Sequence, residues 1–69
     1  MTAPIYKYQV VVKNADGVFH IDGPATRYTD AWLRLCYWKN AERKVAKLLK
    51  LNANTWYDDL HATLNTLNA

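Results

Sequence analysis

The chain has 69 residues, a formal net charge of +3 and 51% hydrophobic residues, with three Trp, five Tyr and a single Cys. That length holds one domain, residues 1–69, and excludes a second. One cysteine excludes an internal disulfide, and the apolar runs are too short to cross a bilayer, so no membrane role is expected.

A core this small supplies only about 3–5 kcal/mol, so a partner chain is a common supplement and a homodimer is expected. The opening MTAPIYKYQV has neither the basic nor the apolar segment of a secretory leader. A lone cysteine suits a reducing compartment, and the expected location is cytoplasmic.

Ile5 to Lys13 is β-branched and aromatic, with Tyr6, Tyr8, Val10 and Val12 alternating against Lys7, Gln9, Val11 and Lys13. Asn14-Ala15-Asp16-Gly17 then predicts a type I turn with Gly17 in the left-handed position of a bulge. Val18 to Ile21 is the return strand. Pairing Asn14 with Gly17 sets Val12 opposite Phe19 and Val10 opposite Ile21, which gathers the most apolar residues on one side. The other side, with Lys7, Gln9, Val11, Lys13, Val18 and His20, reads as the wetter one.

Asp22-Gly23-Pro24 ends this hairpin, and Ala25 to Thr29 connects it to a long helix over Asp30 to Leu51, capped by Thr29 or Asp30. Ala31, Leu35, Trp38, Val45 and Leu49 form its apolar stripe at about 100° per residue. Trp32, Leu33, Cys36 and Tyr37 fall outside the stripe, so the first half needs cover on more than one side. Glu42 intrudes on the stripe and marks a place, near Asn40, where the helix bends or restarts. Asn52-Ala53-Asn54 breaks the pattern, with Asn suited to a left-handed helix end. A last helix starts at Thr55 with Asp58 as its capping partner and Trp56, Leu60, Leu64 and Leu67 as its apolar face. The fold class is α+β, in the order β-β-α-α.

The charge is unevenly placed. Arg43, Lys44, Lys47 and Lys50 against Glu42 account for the whole net charge, since the remaining acids and bases cancel. On a helix these four cations form one basic face at i, i+3 and i+4 spacing. Such a ridge suits an acidic protein surface, with Tyr37 as an aromatic anchor beside it. It equally suits a nucleic-acid backbone, or is the solvated back of an amphipathic helix whose C-terminus favours cations.

Catalytic patterns are weak. Asp58 and His61 share a helix face as a conceivable acid–base pair, but acids in a first turn are ordinary dipole partners. Cys36, amid Trp and Leu, reads as a small core residue. Two glycines make no phosphate loop, and His20 and His61 lack the neighbours of a zinc site. No catalytic residue, cofactor or metal is expected.

The order KYQVVVKNADGVFHIDG followed by TDAWLRLCYWKN resembles small phage- or plasmid-encoded proteins in which a hairpin precedes a helix. Many of these bind a host factor and inhibit or redirect it. The resemblance covers about the first 40 residues and carries over no functional residue. The expectation is a non-enzymatic protein-binding module that inhibits or modulates a larger macromolecule, with nucleic-acid binding as the alternative.

Overall fold

The computed structural model describes residues 5–69; the reading of the N-terminal stretch as free of a leader falls in part on residues 1–4, outside them. Three antiparallel strands form one sheet in the order β2-β1-β3: β1 (Tyr6–Lys13), β2 (Phe19–Thr26) and β3 (Ala46–Asn52). Helix α1 (Tyr28–Cys36) continues into a π-helical turn, Tyr37–Ala41, and α2 (Trp56–Leu67) closes the chain. The class is α+β, as expected. The order is β-β-α-β-α, because the second half of the expected long helix is a strand.

Central strand β1 explains why. Its segment Gln9 to Val12 is buried at every position, so it needs a strand on each side and a helix on each face. Val10 and Val12 point to one face, where they meet Ala31 and Ala46, with Tyr8, Leu35, Trp38 and Leu48 packed around them. Val11 points to the other, where it joins Phe19, Leu51 and Leu60, edged by Leu49, Trp56, Leu64 and Leu67. The result is a sheet sandwiched between α1 and α2. Ala31, Leu35 and Trp38 take the core positions expected of them, as does the apolar face of α2. Val45 is instead exposed, and Leu49 lies across the sheet from Leu35.

The hairpin forms at the expected turn, with the Gly17 amide donating to the Asn14 carbonyl at 2.9 Å and Gly17 at φ 79°. Its register is one residue away from the expected one. Asn14 pairs with Val18 (N–H to carbonyl, 3.1 Å), and Lys13 faces Phe19, Val12 His20, Val11 Ile21 and Val10 Asp22. The bulge glycine is the extra residue that shifts β2 along β1. Phe19 and Ile21 therefore lie on the Val11 face, where α2 covers Val11 and Phe19 and leaves Ile21 exposed.

Strand β2 also runs past its expected end. Val10 pairs with Asp22 but Tyr8 pairs with Thr26, so β2 accommodates two more residues than β1 in this interval. The bulge centres on Gly23 (φ 69°) and Pro24. Gln9, 1% exposed, fills it from within: its Nε2 donates to the carbonyls of Gly23 (2.8 Å) and Asp22 (3.1 Å). On the α1 side the Asp22 carboxylate accepts from Trp38 Nε1 (2.8 Å) and from Arg34 (3.2 Å), which pins the helix to the bulge.

Helix starts differ in detail from expectation. Arg27, not Thr29 or Asp30, is the N-cap of α1, and its side chain makes no capping bond. Thr55 is the N-cap of α2, but its hydroxyl donates to Asp59 (2.7 Å) instead of engaging Asp58. Asn52 ends β3, and its Oδ1 accepts from the Asn54 amide at 2.8 Å, so it shapes a turn into α2 and not a helix end. Among the described residues, no helix is long and apolar enough to cross a membrane.

Candidate binding surface at the β3 edge

The segment carrying the net charge is a loop and an edge strand. After the π turn, where the Glu42 amide reaches back to the Tyr37 carbonyl (3.2 Å), the chain reverses through Arg43 at φ 53°. The Lys44 amide bonds the Trp38 carbonyl (2.9 Å), and β3 begins two residues later. This corrects the basic helix face. Residues three apart share a face on a helix but take opposite faces on a strand. Lys47 pairs with Val11 and so lies on the α2 side, whereas Lys50 pairs with Tyr8 and lies on the α1 side.

The sequence hid this because AERKVAKLLKL is built from good helix formers with apolar residues at helical spacing. Ala46 and Leu48 face α1 while Leu49 and Leu51 face α2. A strand buried on both faces loses the alternation by which strands are usually recognised.

The four cations follow one border of the sheet, Arg43 and Lys44 in the loop before β3 and Lys47 and Lys50 on its two faces. Lys50 Nζ sits 4.1 Å from the Tyr6 ring centre, and Lys44 Nζ sits 5.3 Å from that of Trp38. Arg43 and Lys47 are exposed. Tyr37, half-exposed, donates its hydroxyl to Glu42 (2.8 Å) and lies edge-on to Trp38 at 5.1 Å. Tyr37 is thus brought together with Lys44, through Trp38, at the start of β3. The hydrogen bond that the phenol donates to Glu42, and then the charge of that carboxylate, hold the Tyr37 pKa above its ordinary value.

Three ion pairs are formed among the described residues. The paired charges lie on the β2 side: His20–Asp16 at 3.1 Å, Arg34–Asp22 at 3.2 Å and Arg27–Asp30 at 3.6 Å. Asp16 also accepts from the Val18 amide, and that bond, followed by the one to His20, lowers its carboxyl from the ordinary value. On the β3 side, no ion pair involves Arg43, Lys44, Lys47 or Lys50 among the described residues.

Aromatic rings border the same edge. Tyr6 is 40% exposed, and Tyr28 and Trp32, one turn apart on α1, are 52% and 46% exposed. Helical geometry puts these two on the flank opposite Asp30 and Arg34, which reach toward β2. Tyr28 packs edge-on against Tyr8 (5.3 Å), the strand partner of Lys50. Their association with the lysines was not legible from the sequence, since it depends on β3 lying beside β1.

The other candidates sit elsewhere. His61 stacks edge-on to Tyr57 with centres 4.5 Å apart, and Asp59, not Asp58, holds the first turn of α2. Cys36 is half-buried on α1. No group of three or more His, Cys, Asp and Glu among the described residues is placed to hold a metal ion. What the β3 edge offers is cation charge, aromatic surface and strand backbone. No family model, curated protein or solved structure matches the chain.

Proposed function

We propose that the protein is a non-catalytic protein-binding module that modulates a larger macromolecule by occupying an acidic surface on it. The observation that carries this reading is where the ion pairs fall: the three among the described residues lie on the β2 side, and Arg43, Lys44, Lys47 and Lys50, grouped in and just before β3, join none. Unmatched cations beside exposed rings are the pairing that steers a protein partner by charge and holds it by apolar contact. Arg43 supports the reading independently. A non-glycine residue in the left-handed region costs about 1–2 kcal/mol, and strain of that kind clusters at functional positions.

The alternative of nucleic-acid binding rested on a continuous helical ridge of phosphate contacts. With Lys47 and Lys50 on opposite faces of a strand, that ridge is divided. The expected homodimer is not favoured at this border, because pairing β3 with its own copy doubles four like charges along one seam.

The test is fluorescence anisotropy at about 150 mM salt with a labelled oligoglutamate peptide and, separately, a labelled single-stranded oligonucleotide of equal charge. The peptide binds, and the double variant Lys47→Glu, Lys50→Glu weakens it about tenfold or more. Preference for the oligonucleotide transfers the function to nucleic acid. Binding that ignores the double variant removes the site.

A further inference from the structure

The two borders of the sheet are built in opposite ways. β2 is blunted: its pairing is interrupted, and Gly23 and Pro24 stand in the interruption. A proline and a bulge are standard means of keeping another strand away. β3 has neither. Its register against β1 runs unbroken from Tyr6–Asn52 to Val12–Ala46, and among the described residues its outer side has no neighbouring strand.

Which backbone groups face outward follows from the ladder. The Lys13 amide donates to the Val45 carbonyl (2.8 Å) and the Ala53 amide to the Ile5 carbonyl (3.0 Å). In an antiparallel pair, hydrogen-bonded positions alternate. Lys47, Leu49 and Leu51 therefore bond inward to β1, and the N–H and C=O groups of Ala46, Leu48 and Lys50 point to the open side.

We propose that β3 receives an extended acidic segment of the partner protein as a fourth strand, antiparallel or parallel, extending the sheet. This deepens the acidic-partner reading and rests on it. The occupant is argued from charge. Lys47 and Lys50 flank the open backbone on opposite faces and join no ion pair among the described residues, so a strand with acidic residues three positions apart meets one lysine on each face. The same lysines repel a second copy of this chain, which keeps the border free for a chain of opposite charge. On the α1 side the added strand runs beside Lys50 and the exposed flank of Tyr28 and Trp32. Backbone bonds supply affinity and the side chains select the sequence.

The experiment uses an end-blocked eight-residue peptide of Val and Thr with two Glu three positions apart. Amide hydrogen exchange of the intact protein is followed by NMR with and without it. On binding, exchange at Ala46, Leu48 and Lys50 slows about tenfold or more, while Leu49 and Leu51, already bonded to β1, change little. N-methylating one alternate set of peptide amides abolishes binding, and methylating the other set leaves it intact. A control peptide with its two Glu two positions apart, both on one face, binds more weakly.

Binding without protection at Ala46, Leu48 and Lys50, or equal binding by both methylated peptides, overturns strand addition. If oligoglutamate still binds in that case, the acidic-partner function survives the loss. If neither acidic peptide binds, that function falls and strand addition falls with it.

Discussion

Gln9→Leu isolates the role of the buried amide at the centre of the fold. Leucine matches the volume of the glutamine, so the packing beneath α2 is largely kept. What disappears is the donor to the carbonyls of Asp22 and Gly23. A buried carbonyl left without a partner costs about 1–3 kcal/mol. Both acceptors are only partly buried, so the low end applies and the loss is about 2 kcal/mol. A domain of this size has about 3–5 kcal/mol in all. With a urea slope near 1 kcal/mol per molar, the midpoint falls by about 2 M, read by tryptophan fluorescence. A fall of less than about 0.5 M, with the Gly23 amide resonance unmoved, refutes the idea that Gln9 holds the bulge. Gln9→Glu adds a second reading. A carboxylate facing carbonyl oxygens has its pKa raised above the usual value near 4.3, so its penalty grows with pH. Its deficit relative to the leucine variant shrinks from pH 7 to pH 4.

Leu60→Ala removes the deepest α2 contact, 2% exposed, and costs about 2–5 kcal/mol. Most of the circular dichroism of the fold is lost at 37 °C; a loss under about 1 kcal/mol contradicts the placement of α2. Arg43→Gly relieves the left-handed residue and stabilises by about 0.5–1 kcal/mol, the glycine's own entropy offsetting part of the gain. The same variant weakens oligoglutamate binding, and a variant that is both stable and fully binding takes Arg43 out of the site. Ultraviolet titration finds Tyr37 ionising above an ordinary tyrosine, and Glu42→Gln brings it down. Because this folded value is raised, the Tyr37–Glu42 contribution to stability is complete below the unfolded phenol's value near 10. It is lost as pH rises through the folded one.

The hairpin, the first part of α1 and the whole of α2 were legible because each carries a local signature: an Asn-Ala-Asp-Gly turn, a stripe of Ala31, Leu35 and Trp38, and leucines at i, i+4 and i+7 (Leu60, Leu64 and Leu67). The exact pairing of β1 with β2 was not, because one bulge residue at Gly17 decides it and several registers keep valines against apolar partners. β3 was misread for a different reason. Its residues prefer a helix when considered alone, and only the unmet need of Val10, Val11 and Val12 for a second neighbouring strand turns them into an extended segment. The same inversion moved the candidate site. Arg43, Lys44, Lys47 and Lys50 remain its cations, yet the surface they share is the border of a sheet, and Tyr6, Tyr28 and Trp32 join it only through that border.

The position of β1 carries a kinetic consequence. Its pairs with β3 join residues 34 to 46 apart in the chain, from Val12–Ala46 to Tyr6–Asn52, whereas its pairs with β2 close over a tight turn. Loop closure over that distance must precede any reward from the contacts it makes. While it is pending, residues 42–51 follow their local preference and sample helix, so folding requires a segment to abandon one secondary structure for another. Conditions that strengthen local helices, such as trifluoroethanol, should therefore slow refolding of this protein, although two of its six elements are α-helices.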